Sequence, residues 1–476
     1  MRTLEPFPVG GLSPLAAAGI GQRVARGPFP PLEGTGPRER APEIIAMKIE
    51  GGDYDAAEII APQERSPQIE KYMRTSTTLG PSTDWKRQLD VDRLLELAQE
   101  HGGPVALSAG SALHFEGLRC LAESIWQDSY YDDLGKGAGA FFIYNWILKY
   151  LQFERDLASF PDISQVPMPK PLFIIGFGRT GSTFLHHLLA LDSRVRTPRL
   201  WELMLPSPPP RSESYATDPR IRRAKVQLSS RTILMPNVSK IHESDVQSPE
   251  ECQHMMWHGP HHAMLGLKGS EYLQWLNRLD EPSLRVLYDY YKLQAQHLQL
   301  FHRGEHWVSK SLSHAHFFPV LFQTFPDARI VRLHRDPCQI IPALASLIAH
   351  LQVTYTPRSD FRELGQRVLQ LFVDTMDRTM QIDQSVGAQH FIDVVFSDLT
   401  RDPIETIRKI YDKFDYRYTT QFDHELRERL QVKEGKKYRH KYTLEQFGLS
   451  RAEVLARSEP YLAWVQRKTG STLVAS

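Results

Sequence analysis

Leu172-Phe173-Ile174-Ile175-Gly176-Phe177-Gly178-Arg179-Thr180-Gly181-Ser182-Thr183 is the stretch on which the reading of this chain turns. A short apolar run after Pro171 fits a strand buried on both faces. A glycine turn follows. Phe184, Leu185, Leu188, Leu189 and Leu191 then trace the apolar face of a helix. A strand, a glycine loop and a helix N-terminus in this order aim backbone N–H groups into a concavity that suits a phosphate or its analogue. Arg179 adds charge, and Thr180, Ser182 and Thr183 add hydroxyl donors. Gly176, Gly181 and Thr183 match the spacing G-x-x-x-x-G-K-[ST], but Ser182 stands where the lysine belongs. That lysine reaches the β- and γ-phosphates of a nucleoside triphosphate, so its absence argues against one.

Outward from this stretch, strand candidates recur at Trp307–Ser309, Ala328–His334 and Phe391–Phe396. Helical patterns such as Pro282–Phe301 and Phe361–Gln384 separate them. Alternation of this kind predicts an α/β fold, a P-loop-like parallel β-sheet flanked by helices, with ligands bound outside the carboxyl ends of the strands. Upstream, Val91–Leu97 (closed by Gly102-Gly103), His114–Trp126 and Phe141–Leu157 read as helices and predict an N-terminal helical layer. The expected division is residues 1–82 as a largely irregular extension, 83–168 as a helical subdomain, and 169–476 as the α/β domain. Within the extension, Met1–Arg40 is rich in Pro and Gly and reads as loosely attached. An organelle-targeting segment is the alternative, though its prolines spoil an amphipathic helix.

The 476 residues carry 57 Lys+Arg against 56 Asp+Glu, a net charge of +1. This argues against a dedicated nucleic-acid binder and against an acidic disordered chain. There is no apolar run long enough for a transmembrane helix. Three isolated cysteines, Cys120, Cys252 and Cys338, indicate neither a disulfide framework nor a zinc site, and make a cytoplasmic location the default. The 19 histidines show no metal-ligand spacing, so no metal is expected.

A second anion site is legible at Arg335-Asp336-Pro337. Asp before Pro reads as an N-cap and first helical position, which leaves Arg335 at the sheet's carboxyl edge beside a helix N-terminus. Its planar fork of donors suits a phosphate; pairing with a neighbouring carboxylate is the plainer alternative. Two anion sites on strand ends suggest one ligand with phosphates at both ends.

On these residues the chain resembles the sulfotransferases that use 3′-phosphoadenosine 5′-phosphosulfate, and within them the broad bacterial and algal-type group. Leu200-Trp201-Glu202-Leu203, Trp307-Val308-Ser309-Lys310-Ser311, Phe325-Pro326-Asp327-Ala328-Arg329 and the tail Tyr442–Leu449 carry the likeness further. It covers about Thr83 to Leu449. The resemblance implies that Arg179–Thr183, with Phe184 beside them, hold the 5′-phosphosulfate and that Arg335 holds the 3′-phosphate. The family's second motif usually has a serine eight residues after the arginine. Here that position is Ala343, with Ser346 the nearest substitute. The basic run Lys433–Lys441 falls where the family closes over the nucleotide with cationic residues.

Sulfuryl transfer requires alignment of acceptor, sulfur and leaving phosphate, and stabilisation of charge on the bridging oxygen. Lys310, leaving its strand at the loop's edge, is the expected neutraliser of that charge. His314 is a candidate base and Glu202 its rival, since some relatives place a carboxylate near this point. Asp398 resembles a family residue that braces the sheet edge. The segment Ser248–Leu273 holds His254, Met255, Met256, Trp257, His258, His261, His262, Met264 and Tyr272, a wall suited to an apolar or amphiphilic small-molecule acceptor or, alternatively, ordinary core. A P-loop kinase or NTPase and a catalytically silent nucleotide-binding protein remain the alternatives at this stage.

Overall fold

The structure is a computed structural model that describes residues 57–75, 89–242, 244–256, 271–432 and 438–474. The expectation for Met1–Arg40 lies outside the described residues. Among those described, seven strands occur: β1 (Ala57–Ile59), β2 (Leu172–Gly176), β3 (Val195–Arg196), β4 (His306–Lys310), β5 (Arg329–His334), β6 (Phe391–Val395) and β7 (Tyr438–His440). Five of them form one parallel sheet in the order β3-β4-β2-β5-β6. β1 and β7 pair separately, also in parallel. The chain leaves β2, builds β3 and β4 on one side of it, then crosses to build β5 and β6 on the other. β2 is therefore the topological switch point, where a crevice opens at the carboxyl ends.

The apolar run of β2 faces two ways, as strand geometry requires. Leu172 and Ile174 join a core with Val308, Val331, Leu185, Leu188 and Ile407. Phe173 and Ile175 join the opposite core with Trp307, Ile330 and the helical layer. That layer consists of α1 (Val91–Gly102), α2 (Ala109–Gln127) and α3 (Asp133–Ser159), joined by the later helix α6 (Glu281–Gln299). Phe115, Leu118, Leu121, Ile143, Ile147, Tyr288 and Tyr291 lie in the same continuous core as Phe173. Gly103, at φ 83°, ends α1 where the Gly-Gly pair placed its end. Further along, α4 (Ser182–Leu189) follows the glycine loop, and the short α5 (Leu200–Met204) precedes α6. α7 (Pro337–Gln352), α8 (Phe361–Gln381) and α9 (Arg451–Thr469) enclose a third core around Ile341, Phe372 and Val465. Among the described residues no helix is long and apolar enough to cross a membrane.

Register decides what meets at the crevice. Gly176 lies opposite Leu333, so Arg335 falls two residues beyond the end of β2, beside the glycine loop. Ile174 lies opposite Lys310, so Lys310 ends β4 one pleat below the loop. The edge of the sheet is braced from within β6. Arg332 donates two bonds to Asp393, both at 2.7 Å, and one to Asp383 at 2.6 Å. Asp398, expected to do this, instead pairs with Arg401 on the solvent-facing helix Phe396–Arg401, because β6 ends at Val395 and turns straight into that helix.

Candidate active site

The loop from β2 to α4 is a turn that only particular residues can make. Gly181 sits at φ 90°, and a Cβ there would stand 2.9 Å from the Phe396 ring. A Cβ on Gly176 would stand 2.5 Å from Thr180 Oγ1. Arg179 is also left-handed, at φ 74°, which costs a non-glycine residue on the order of 1 kcal/mol. Its guanidinium compensates by donating to the Ile241 carbonyl at 3.0 Å. Thr180 is spent on the turn: its hydroxyl donates to the Phe177 carbonyl at 2.8 Å, and its amide reaches the same oxygen at 3.3 Å. The Ser182 and Thr183 amides at the α4 N-terminus have no acceptor within the helix; Ser182 itself is buried. Phe184 is solvent-facing, at 38% exposure.

Lys310 is 3% exposed yet reaches the loop. Its Nζ donates to Thr183 Oγ1 at 3.2 Å and to Glu251 Oε1 at 2.6 Å. Glu250, the residue before Glu251, is half-buried. Burial would raise its pKa, but the His242 hydrogen bond and the charges of His242 and Lys310 hold it well below the usual carboxylate range.

Arg335 lies against the glycine loop. Nη1 donates to the Arg179 carbonyl at 2.8 Å, while Nε and Nη2 share Gln339 Oε1 at 3.2 and 2.9 Å. The guanidinium covers the Phe396 ring, 4.0 Å from its centroid. It makes no ion pair with a carboxylate of a described residue, unlike most arginines of the sheet. Asp336 caps α7 through the Cys338 amide at 2.8 Å, with Pro337 next to it. Burial lowers the pKa of both Arg335 and Arg179, and the charge of Arg335 presses Arg179 down further. Among the described residues neither guanidinium pairs with a carboxylate, so a nearby anion would relieve the burial of both charges.

Two candidate bases are held in the core. Glu202 is fully buried and its oxygens are occupied: Arg196 binds both, the Arg199 amide donates at 2.8 Å and the Tyr215 hydroxyl at 3.0 Å. It closes a capping box on α5 and neutralises a buried arginine. His314 is also fully buried, between Cys252 Sγ at 3.2 Å and the Tyr288 hydroxyl at 3.2 Å, with its ring edge-on to Phe173. Burial lowers its pKa to about 3. Both side chains are thus held by partners from other elements, and Glu202 also lines a small cavity with Lys149, Met255, Gln294 and His297. Ser346 is buried as well and bonds His440 Nε2 at 2.8 Å. Of the His- and Met-rich segment, Cys252, Met255, Met256 and Tyr272 belong to the core. Trp257, His258, His261, His262 and Met264 lie outside the described residues.

The sequence reading gave Glu251 no role of its own, whereas His440 and Tyr442 fall in the Lys433–Lys441 run and the Tyr442–Leu449 tail that the resemblance already covers. Glu251 was hidden inside a segment conspicuous for its histidines and methionines. His440 and Tyr442 lie over a hundred residues from the loop, and only the tertiary fold brings them to Arg179. The signal available was a carboxylate pair, Glu250-Glu251, directly before that segment.

Comparison with known proteins agrees with this geometry. The sequence profile described as the sulfotransferase family matches residues 171–420. The omega-hydroxy-beta-dihydromenaquinone-9 sulfotransferases Stf3 of Mycobacterium bovis and of Mycobacterium tuberculosis are each 25% identical over 255 residues, 51% of this chain and 61% of theirs. The match thus spans less than two thirds of those relatives. In fold, the chain is similar to the crystal structure of sulfotransferase STF9 from Mycobacterium avium (TM-score 0.69, 24% identity, 78% of this chain and 96% of that one). It is similar also to that of STF1 from Mycobacterium tuberculosis (TM-score 0.65, 23% identity, 77% and 97%). With a profile covering more than half its length and a glycine loop, a strand-end lysine and a strand-end arginine gathered at one crevice, the chain belongs to the sulfotransferase family.

Proposed function

We propose that this protein transfers a sulfuryl group from 3′-phosphoadenosine 5′-phosphosulfate to a hydroxyl or amine of a small-molecule acceptor by in-line displacement. The observation that carries this reading is the 2.8 Å bond from Arg335 to the backbone of the glycine loop. That contact between Arg335 and the glycine loop supports a reading in which a single nucleotide with phosphates at two ends spans both candidate anion sites. The α4 N-terminus, Ser182 and Thr183 hold the 5′-phosphosulfate. Arg179 adds its charge to the 5′-phosphosulfate loop, and Arg335 holds the 3′-phosphate end.

In the step itself the acceptor atom attacks sulfur, the bond from sulfur to the bridging oxygen breaks, and its electron pair stays on the departing nucleotide phosphate. Lys310, at Thr183, neutralises that oxygen. Glu251 then takes the acceptor proton, in place of the buried His314 and Glu202. Glu251 pairs with Lys310 at 2.6 Å; a donor phosphate competes for the same ammonium and leaves the carboxylate to the acceptor. The scheme routes no step through a metal.

The acceptor is apolar or amphiphilic in this reading. The Stf3 relatives are named for a hydroxylated menaquinone, a lipid-like molecule, and a Met- and aromatic-rich segment lies directly after Glu251 in this chain. Two measurements test the reading. Calorimetry should show 3′,5′-adenosine bisphosphate binding without Mg²⁺ and more tightly than ATP with Mg²⁺; preference for ATP would favour a kinase or NTPase. Incubation with the donor and a panel of lipid alcohols and amines should give products heavier by one sulfuryl group. Donor binding without any such product would favour a catalytically silent nucleotide-binding protein.

A further inference from the structure

Between Pro219 and His242 the chain carries Arg220, Arg222, Arg223, Lys225, Arg231 and Lys240 and no Asp or Glu, although the net charge of the whole sequence is only +1. The rest of the chain is therefore net acidic, and a basic patch on such a molecule orients it toward an anionic surface. Most of this segment is one helix, Pro219–Leu234. Ile221, Ala224 and, in part, Leu228 turn into a small core with Trp201 and Val246. Arg220 anchors the helix: its guanidinium pairs with Asp218 at 2.7 Å, donates to the Leu205 and Pro206 carbonyls and lies over the Trp201 ring.

The opposite face of that helix is exposed. Arg222 and Arg223 stand one turn before Val226 and so beside it on the helix surface, with Lys225 next to it in the chain. All three cations are exposed and make no ion pair with a carboxylate of a described residue, and Val226 is 59% exposed in their midst. The helix Pro67–Thr75 packs alongside and adds Lys71 and Arg74, of which Arg74 pairs with the one acid there, Glu70, at 2.6 Å. A cationic face with an aliphatic side chain at its centre matches the boundary between anionic headgroups and acyl chains. A nucleic acid would use the cations but not the valine, and the charge balance of the whole chain argues against one.

Downstream of this helix the chain returns to the site. The Ile241 carbonyl accepts from Arg179 at 3.0 Å, the Val246 and Ser248 carbonyls accept from the Trp201 and Leu200 amides, and Glu251 follows, paired with Lys310. The basic helix is thus the outer face of an excursion between β3 and β4 whose inner end is the site. We propose that the exposed face of Pro219–Leu234 docks on an anionic lipid bilayer and so brings the crevice to an amphiphilic acceptor dissolved in it. The inference rests on the acceptor reading above. Each cation at such a surface contributes about fivefold in affinity, so several together hold the protein there reversibly.

The test is co-sedimentation of the full chain with phosphatidylcholine vesicles, with and without about one third phosphatidylglycerol. The protein should bind only the anionic vesicles, and raised salt should release it. Arg223→Gln should weaken binding about fivefold, and the triple variant Arg222→Gln, Arg223→Gln, Lys225→Gln about a hundredfold. Val226→Ser should weaken it as well. Lys409→Gln removes one charge at an exposed position on the helix Pro403–Phe414, in a different core, and should leave binding unchanged. Melting temperature and affinity for 3′,5′-adenosine bisphosphate should match the parent in the triple variant, whose altered side chains are exposed. Equal vesicle binding by parent and triple variant, or none by the parent, would overturn the docking face. So would a preference for an RNA oligonucleotide over the vesicles that Val226→Ser does not change, which would assign the face to nucleic acid. Sulfation of a lipid alcohol in detergent by a protein that binds no vesicles removes the docking face and leaves the acceptor reading; vesicle binding without sulfation of any lipid alcohol removes the acceptor reading and leaves the lipid surface.

Discussion

Lys310 carries two contacts that a resting and a reacting enzyme would use differently, one to a carboxylate and one to the hydroxyl at the helix N-terminus. If Glu251 takes the acceptor proton, Glu251→Gln should lower kcat by about 10²–10³ and leave bisphosphate affinity unchanged or tighter, since the competing carboxylate charge is gone. Steady-state kinetics with calorimetry on the same sample checks both halves. His314→Gln gives the contrast: melting temperature falls, because the substituted side chain disturbs a core of Phe173, Tyr288 and Tyr291, while turnover per folded molecule persists. At Arg335, lysine keeps the charge but not the fork that reaches both Gln339 and the loop carbonyl. Arg335→Lys should weaken bisphosphate binding about tenfold or more.

Among elements, the glycine loop and the end of β5 are the two that geometry holds most tightly. Gly181 combines a left-handed backbone with close contact to Phe396. Gly181→Ala should lose about 1–2 kcal/mol of stability from the backbone alone and lose donor binding with it, as read by thermal melts with and without 3′,5′-adenosine bisphosphate. The β5 end is set from below. His334 Nε2 lies 2.8 Å from Asp393 and Nδ1 lies 3.0 Å from the Tyr461 hydroxyl, which anchors α9 directly behind Arg335. The end of β5, and Arg335 beyond it, are thus supported from β6 and α9, which explains how a side chain at a strand's loose end can be placed accurately.

For the whole molecule, pH is the informative variable. Burial lowers His114 and His314 to about 3, well below an unfolded value of about 6.5. The unfolded chain therefore binds more protons between those values, and stability falls as pH drops from about 6.5 toward 3. Asp393 adds a second, more acidic limb. Burial pushes its pKa up, but the bonds and charges of His334 and Arg332 outweigh this and hold it at about 2. Its contribution, about 2 kcal/mol, is present above the unfolded carboxylate range and disappears as pH falls from about 4 to 2. Urea melts across pH 3–7 should show the first loss well before carboxylates titrate; a flat profile from 7 to 4 would contradict the buried, neutral histidines.

By itself the sequence determined the sheet's central strand, the glycine loop after it and the position of Arg335 at a strand end, because each is local. A four-residue apolar run, a glycine spacing and an Asp-Pro cap are written in neighbouring residues and need no distant partner. It also placed the helices Glu281–Gln299 and Phe361–Gln381 to within a few residues, since their apolar periodicity is continuous, but began the helix Asp133–Ser159 eight residues late and gave no helix at Arg451–Thr469. Only the tertiary structure decided which charges are free. Glu202 and His314 look like bases in a string of letters, yet the fold buries both among partners contributed by other elements. Glu251 looks unremarkable until register brings Lys310 to it. The edge strand β3 and the β1–β7 ribbon were illegible for the same reason: two- and three-residue strands have no periodicity of their own and exist because a distant partner supplies their hydrogen bonds. Local chemistry settles which elements form, whereas desolvation and pairing depend on who packs against whom, and that is settled by residues hundreds of positions apart.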